Sequence, residues 1–138
     1  MRITDRLLSK IDRIAPPAQV LAHCDLPCGV YDPAQARIEA ESVKACMVKF
    51  NDSSDEEFRT RATFIKEERS DLVKHHLWVL WTDYFKPEHL ERFPELHTSF
   101  WNATKSAGEA KKTNDVAVAE RLLAEIAEID TIFWETKK

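Results

Sequence analysis

The sequence predicts an all-α fold, an up-down four-helix bundle with a short loop at its N-terminal end. Apolar residues recur at helical spacing in four segments, and the connectors between these segments are short. No segment shows the alternating pattern of a β-strand, and the 138 residues include only two glycines, which leaves little material for hairpin turns. Four amphipathic helices joined by short connectors are typical of such a bundle.

The first predicted helix begins at Asp32 and Pro33. The Asp32 side chain can cap the helix, and proline suits the first helical position. The polar stretch NDSSDEE ends it. Its apolar residues form one stripe at helical spacing: Ala36, Ala40, Val43, Met47 and Phe50.

The second predicted helix is long, from about residue 55 to about residue 83. Ser54 followed by Glu57 resembles a capping box at its start. Its apolar residues repeat every seven positions: Phe58, Ile65, Leu72 and Val79. The positions four residues further on are Ala62, Arg69, His76 and Asp83, so the predicted inward stripe becomes polar along the helix.

Two further helices complete the predicted bundle. A short turn of helix is expected between the Lys86-Pro87 and Phe93-Pro94 pairs. The third helix is predicted over about 94 to 107, with Leu96, Phe100 and Thr104 or Ala107 facing inward. The fourth is predicted over about 115 to 135, and its inward stripe is Ala119, Leu122, Ile126, Ile129 and Phe133.

Composition excludes several classes of function. The formal net charge is −4, which argues against nucleic-acid binding. No run of about eighteen apolar residues is present, so no transmembrane segment is expected. The number of cysteines is three, and an odd number is not typical of a secreted disulfide framework. A cytoplasmic location therefore fits the sequence better.

The first 22 residues have a character of their own. They contain no continuous apolar core of a secretory signal. Ile3, Leu7 and Ile11 recur at helical spacing among basic residues, and a Pro-Pro pair ends the pattern. Two interpretations remain from composition: an N-terminal helix docked on the domain, which composition favours, or a removable leader.

The stretch AHCDLPCGVYDP, residues 22–33, holds the clearest chemical signal. His23, Cys24 and Cys28 place an imidazole and two thiols within six residues. These donors suit zinc, copper, nickel or an iron–sulfur centre rather than magnesium or calcium. Pro27 and Gly29 favour a fixed loop that can turn both sulfurs toward one point. A structural zinc site would need a fourth ligand from a second pair, and the sequence offers none.

This loop and the helix after it identify a family. The segment HCDLPCGVYDPAQARIEAESVKA closely resembles the nickel-binding hook and first helix of nickel-containing superoxide dismutases. The stretches IKEERSDLVKHH, WTDYFKPEHLERFPELH and IDTIFWETKK match the same family. The resemblance runs from His23 to the C-terminus, and residues 1–22 look like the variable leader of the family.

The resemblance implies a metal centre in the hook, residues 23–31. A protease would remove residues 1–22, so that His23 becomes the N-terminus of the 23–138 domain. Nickel would then be held by the amine and imidazole of His23, the amide nitrogen and thiolate of Cys24, and the thiolate of Cys28. Cycling between Ni(II) and Ni(III) would convert superoxide to oxygen and hydrogen peroxide.

The resemblance also implies roles around the metal. Pro27 would carry a cis peptide bond that shapes the loop, and Asp25 would help to lock it. Tyr31 would stand near the metal and help to admit the substrate. Glu39 and Arg69 would orient the His23 imidazole.

Two of these expectations can be examined from the sequence itself. Arg69 falls on the predicted inward stripe of the second helix, where a buried guanidinium needs a partner. Glu39 lies beside the stripe of the first helix, so a Glu39–Arg69 pair would explain both residues. The alternative is that Arg69 reaches solvent and pairs locally.

Lys86 is the predicted residue for substrate steering, and a plain surface role is the alternative.

The resemblance implies a homohexamer with the hooks sheltered at subunit contacts. Trp78, Trp81, Trp101 and Trp134 are more aromatic surface than one small core needs, so some are expected at interfaces. Two other functions remain open. One is a bundle that carries or senses a thiophilic metal without turnover. The other is a thiol redox protein, although a redox pair is usually spaced C-x-x-C.

Overall fold

The computed structural model describes residues 29–138, which form five α-helices and no strand. The helices are α1, Ala34–Asp52; α2, Glu56–Val79; α3, Pro87–Arg92; α4, Leu96–Ala110; and α5, Val116–Glu135. One turn of π-helix, Leu80–Tyr84, follows α2 directly. None of the helices in this range has the length and apolar character that a membrane crossing requires.

The four long helices pack as a ring. Helix α1 packs against α2 and α5, and α4 packs against the same two helices from the other side. The short helix α3 lies in the connection between α2 and α4. The all-α four-helix bundle predicted from the sequence is therefore confirmed, with the predicted short turn of helix present as α3.

The predicted inward stripes of α4 and α5 are confirmed. In α5 the buried residues include every predicted one: Ala119, Leu122, Ile126, Ile129 and Phe133. In α4 Leu96, Phe100 and Ala107 are buried, and Thr104 is half-buried. Both helices present one apolar face to the same core, which the 3.6-residue period of the sequence predicts.

The start of α2 differs from the prediction. Asp55, not Ser54, caps the helix, and its carboxylate accepts hydrogen bonds from the backbone N–H groups of Glu57, at 3.0 Å, and Phe58, at 3.4 Å. The predicted capping box is therefore wrong. Asp55 has the extended backbone of a cap residue, with φ −75° and ψ 114°, and lies one position nearer to the helix than Ser54. The Asp32 cap of α1 is present, with 2.8 Å to the Ala34 amide.

The buried face of α2 also differs from the prediction. Phe58 and Ile65 are 41% and 40% exposed, so the stripe repeating every seven residues is not the inward face. Of the predicted inward residues only Ala62 is buried, and the other buried residues of the helix are Lys66, Ser70, Val73 and Leu77. A seven-residue repeat drifts around a straight helix by about 20° per heptad. The small Ala62 and Ser70 allow a neighbouring helix to approach closely, which apolar counting alone does not reveal.

Lys66 is the one charged residue of this buried face, with 2% of its surface exposed. Its ammonium donates hydrogen bonds to the Thr113 carbonyl and the Asn114 side-chain oxygen. These partners lie just before α5, so Lys66 ties α2 to the connector between α4 and α5. Burial lowers the pKa of Lys66, because desolvation disfavours the charged ammonium.

The π-helical turn sets the geometry at the end of α2. The Phe85 N–H donates to the Leu80 carbonyl at 3.1 Å, a span of five residues rather than four. Lys86 then adopts an extended backbone, φ −125° and ψ 165°, as expected for a residue that precedes proline. The wide turn places Tyr84 and Phe85 at the end of the bundle core, where both contact other aromatic rings.

Candidate active site

Four of the predicted site residues lie in the described part of the chain. They are Tyr31, Glu39, Arg69 and Lys86. The remaining ones lie outside the described residues: His23, Cys24, Asp25, Pro27 and Cys28. The structure therefore shows the part of the candidate site that begins at residue 29.

Tyr31 lies immediately before α1 and is half-buried. Gly29, two residues earlier, has φ +72°, a left-handed conformation that glycine adopts without strain. The Tyr31 ring packs against the ring of Tyr84, with 5.6 Å between centroids and 53° between planes. The C-terminal end of the hook, at Tyr31, is thus anchored on the π-helical turn that follows α2.

Tyr84 contacts the predicted site residue Tyr31, and the sequence analysis did not single it out. Its ring contacts Phe133 at 4.5 Å and lies nearly parallel to the imidazole of His89, at 5.7 Å. Its hydroxyl lies 2.6 Å from Oγ1 of Thr136. Two features of the sequence could have pointed to Tyr84. It is one of only two tyrosines in the chain, and it lies two residues before Lys86 in a stretch that resembles the family.

Glu39 and Arg69 form an ion pair between α1 and α2. Arg69 Nη1 lies 3.2 Å from Oε2 and 3.5 Å from Oε1 of Glu39. The Glu39 side chain is 16% exposed and that of Arg69 is 35% exposed. The predicted contact between the two side chains is present, but Arg69 is half-buried rather than on the inward face. Their role toward His23 stays a prediction.

The ion pair and the tyrosine pair occupy different levels of the bundle. Arg69 and Tyr84 lie fifteen positions apart along α2 and its π-helical turn. At a rise of about 1.5 Å per residue, this separation is roughly 20 Å along the axis. The ion pair, between α1 and α2, and the tyrosine pair, between the residues just before α1 and the π-helical turn, are therefore separate contacts.

Lys86 lies two residues beyond Tyr84 and is exposed. Its backbone N–H donates to Nδ1 of His89 at 3.2 Å, which orders the start of α3. The structure thus gives the Lys86 backbone a capping role. Steering by its side chain stays a prediction.

Other sulfur and imidazole groups of the described chain lie within the long helices. Cys46, in α1, has a half-buried free thiol, and burial raises its pKa. His75, which is exposed, and His76, which is half-buried, lie in α2. Within residues 29–138, no three His, Cys, Asp or Glu side chains are grouped so that they could hold a metal ion.

Comparison with known proteins decides the family. The model of the family described as nickel-containing superoxide dismutase matches residues 18–137. The chain is 58% identical over 132 residues to "Superoxide dismutase [Ni]" of Streptomyces seoulensis, covering 96% of this chain and 99% of that protein. The protein of the same name from Streptomyces coelicolor is 57% identical over the same length, with the same coverage.

The chain belongs to the nickel-containing superoxide dismutase family. Solved structures agree: a native nickel superoxide dismutase structure has a TM-score of 0.82 and 59% identity, covering 84% of this chain and all of that one. A second, with nickel ligation of the oxidised state, has a TM-score of 0.82 and 61% identity, covering 83% and 98%. The resemblance and the helical fold predicted from the sequence are confirmed. So are the enzyme class, an oxidoreductase acting on superoxide, and the nickel cofactor.

Proposed function

We propose that this chain dismutates superoxide at a nickel ion bound by the hook after residues 1–22 are removed. The ligands are the amine and imidazole of His23, the amide nitrogen and thiolate of Cys24, and the thiolate of Cys28. The donor set fits the ion, because thiolates and anionic nitrogen donors suit nickel. The single observation that carries the proposal is the HCDLPC motif inside the region that matches the family model.

The metal supplies one property: an ion that can gain and lose one electron as superoxide is oxidised to oxygen and reduced to peroxide. The polypeptide supplies position. Tyr31 is held against Tyr84 by ring contact, so its hydroxyl has a fixed place at the C-terminal end of the hook. Pro27 and Asp25 shape and lock the rest of the hook.

Glu39 and Arg69 orient the His23 imidazole. Glu39 is nearly buried, and the guanidinium of Arg69 neutralises its charge. A carboxylate held in this way can accept the free ring N–H of a metal-bound imidazole, which fixes the ring orientation and raises its basicity. The Glu39–Arg69 contact supports this role.

Attraction of the anionic substrate must be local. Removal of residues 1–22 takes away four basic and two acidic residues, so the formal charge changes from −4 to −6. An acidic protein attracts an anion only where basic side chains lie near the site. Lys86, exposed and two residues from Tyr84, is the proposed steering residue.

We also propose that the mature chain forms a cytoplasmic homohexamer with the hooks sheltered at subunit contacts. Large apolar side chains on the described surface support assembly: Phe64 is 72% exposed, and Trp78, Trp101 and Trp134 are each about half exposed. Trp81 packs against Phe100 instead, at 5.1 Å between centroids. The odd cysteine count and the absence of a secretory signal pattern support the cytoplasm.

The experiment compares two forms of the protein, one that begins at Met1 and one that begins at His23. Both are loaded with nickel and assayed for superoxide dismutation. The proposal expects the His23 form to be active and the Met1 form to be nearly inactive, because the amine ligand exists only after cleavage. Equal activity in the two forms, or activity retained with zinc in place of nickel, would contradict it.

A further inference from the structure

Thr136 forms two short hydrogen bonds with only one hydroxyl proton. Its Oγ1 lies 2.6 Å from the Phe133 carbonyl oxygen and 2.6 Å from the hydroxyl oxygen of Tyr84. A carbonyl oxygen can only accept, so the Thr136 proton must lie between Oγ1 and the Phe133 carbonyl. The other contact then has one possible donor, the phenolic O–H of Tyr84.

This proton count fixes what Tyr84 offers to its surroundings. Its single proton is directed to Thr136. The phenolic oxygen keeps its lone pairs and can accept hydrogen bonds, but it has no proton left to donate beside Tyr31, whose ring contacts its own. The Lys137 ammonium, 4.7 Å from the ring centroid, and the stacked His89 imidazole further restrict the ring.

We propose that Thr136 is a positioning residue of the active site, because its Oγ1 accepts the hydrogen bond that the Tyr84 hydroxyl donates. Tyr84 then offers no hydrogen-bond donor to the anionic substrate or to the water beside it. This inference rests on the proposed function for the place of Tyr31. The direction of the Tyr84–Thr136 hydrogen bond rests on the geometry alone.

The direction of that hydrogen bond can be tested by vibrational spectroscopy. In ultraviolet resonance Raman spectra, the intensity ratio of the tyrosine Fermi doublet is low when the hydroxyl donates and high when its oxygen only accepts. The chain has two tyrosines, so subtracting the spectrum of Tyr84→Phe from that of the full chain leaves the Tyr84 signal. Thr136→Val is nearly isosteric and removes the hydroxyl, whereas Thr136→Ser keeps it.

The expected result is a low ratio for Tyr84 in the full chain and in Thr136→Ser, and a higher ratio in Thr136→Val. The opposite assignment, in which Thr136 donates to Tyr84, predicts a high ratio that falls in Thr136→Val. That result, or a ratio that Thr136→Val does not change, would overturn the inference. Circular dichroism confirms that each variant keeps its helical fold.

The consequence for the site is tested with azide, a small anion that competes with small anionic substrates. In the nickel-loaded form beginning at His23, Thr136→Val frees a donor beside the substrate. Azide inhibition should strengthen roughly three- to tenfold, the range for one added hydrogen bond. The gain should vanish when Tyr84→Phe is added, and Thr136→Ser should match the parent.

Azide inhibition that is unchanged or weaker in Thr136→Val would overturn the positioning role. General damage to the site would weaken inhibition, which is the opposite sign. If the form beginning at His23 has no dismutase activity, the proposed function fails and takes the positioning role with it. The Raman measurement on the full chain still decides the direction of the hydrogen bond in that case, so the two failures are distinguishable.

Discussion

At the residue scale, Glu39 shows how one contact links the fold to the chemistry. Its carboxylate faces Arg69 across the junction of α1 and α2 and is mostly shielded from water. Two positions along the same helix, Glu41 pairs with Arg37 on the exposed surface, at 2.6 Å. The same helix thus carries a shielded ion pair with a proposed role and an exposed one without.

This pairing gives a matched comparison. Glu39→Gln removes the charge that we propose holds the His23 imidazole, and it should lower dismutase activity about 10- to 100-fold, as loss of a partner of a metal ligand does. Glu41→Gln removes an exposed charge from the same helix and should leave activity within about twofold. Both variants are assayed after nickel loading. Similar effects in the two would show that Glu39 has no special role.

Cysteine substitutions separate the hook from the bundle. Cys28→Ser should abolish activity, because the hydroxyl of serine is a poor replacement for a thiolate ligand. The helical content by circular dichroism should stay unchanged. Cys46→Ser is the control, because Cys46 is half-buried in α1 and lies outside the hook. This variant should keep the activity of the parent. Loss of helicity in Cys28→Ser would mean that the hook is structural rather than catalytic.

At the element scale, the start of α2 shows how one position decides a cap. Ser53, Ser54 and Asp55 all have side chains that can cap a helix, and the structure selects Asp55. The Ser53 hydroxyl instead accepts a hydrogen bond from the Asp55 N–H at 3.1 Å. Ser53 and Asp55 thus satisfy different backbone groups, which the sequence pattern does not resolve.

The cap predicts unequal costs for neighbouring substitutions. Asp55→Ala removes the acceptor of two backbone N–H groups and should lower the free energy of unfolding by about 0.5–2 kcal/mol. Ser54→Ala has no such partner to lose and should change it by less than about 0.5 kcal/mol. Urea denaturation measures both. A larger loss for Ser54→Ala would restore the capping box predicted from the sequence.

Lys66 makes the stability of α2 depend on pH. Its pKa is lowered by burial, so at alkaline pH the unfolded chain binds this proton more tightly than the folded chain does. The free energy of unfolding therefore gains a contribution as the pH rises through the lowered pKa toward the ordinary value of 10.5. The contribution is complete above that value.

The comparison that isolates this contribution is the parent chain against Lys66→Met. The unfolding free energy of the parent minus that of the variant should increase between neutral and alkaline pH. Lys112→Met, which removes an exposed lysine from the connector before α5, controls for loss of positive charge. Urea denaturation at several pH values measures the difference. A difference that moves in favour of the variant would contradict the assignment.

At the scale of the whole molecule, the bundle supports the proposed site at one of its ends. The ring of four helices brings the loop before α1, the end of α2 and the C-terminal turn of α5 together around Tyr84. The ion pair stands about 20 Å away along α2. The proposed site includes both the Tyr84 cluster and the ion pair, so it depends on the packing of the whole bundle and not on one helix.

Assembly is testable directly. The nickel-loaded form beginning at His23 should sediment as the proposed homohexamer of six subunits. Its subunit contacts would cover apolar side chains that are exposed in the single chain, such as Phe64 and Trp101. Analytical ultracentrifugation measures the mass across a range of concentrations. A monomer at all concentrations would contradict the hexamer and the sheltering of the hooks at subunit contacts.

The sequence by itself determined the helical fold, the bounds of the long helices to within a few residues, and the inward faces of α4 and α5. It also identified the family through the hook motif. These features are local, because helical periodicity and short motifs depend on residues that are close together in the sequence. Most of the inward face of α1, including Ala36 and Met47, was predicted for the same reason.

Only the tertiary structure decided which face of α2 is buried and which residues surround Tyr31. The buried face of α2 depends on the helices beside it, since small and polar residues such as Ser70 and Lys66 lie inside where a neighbour approaches or offers acceptors. The Tyr31, Tyr84 and Thr136 cluster joins residues 53 and 52 positions apart. No local pattern encodes such contacts, because chain folding alone brings these side chains together.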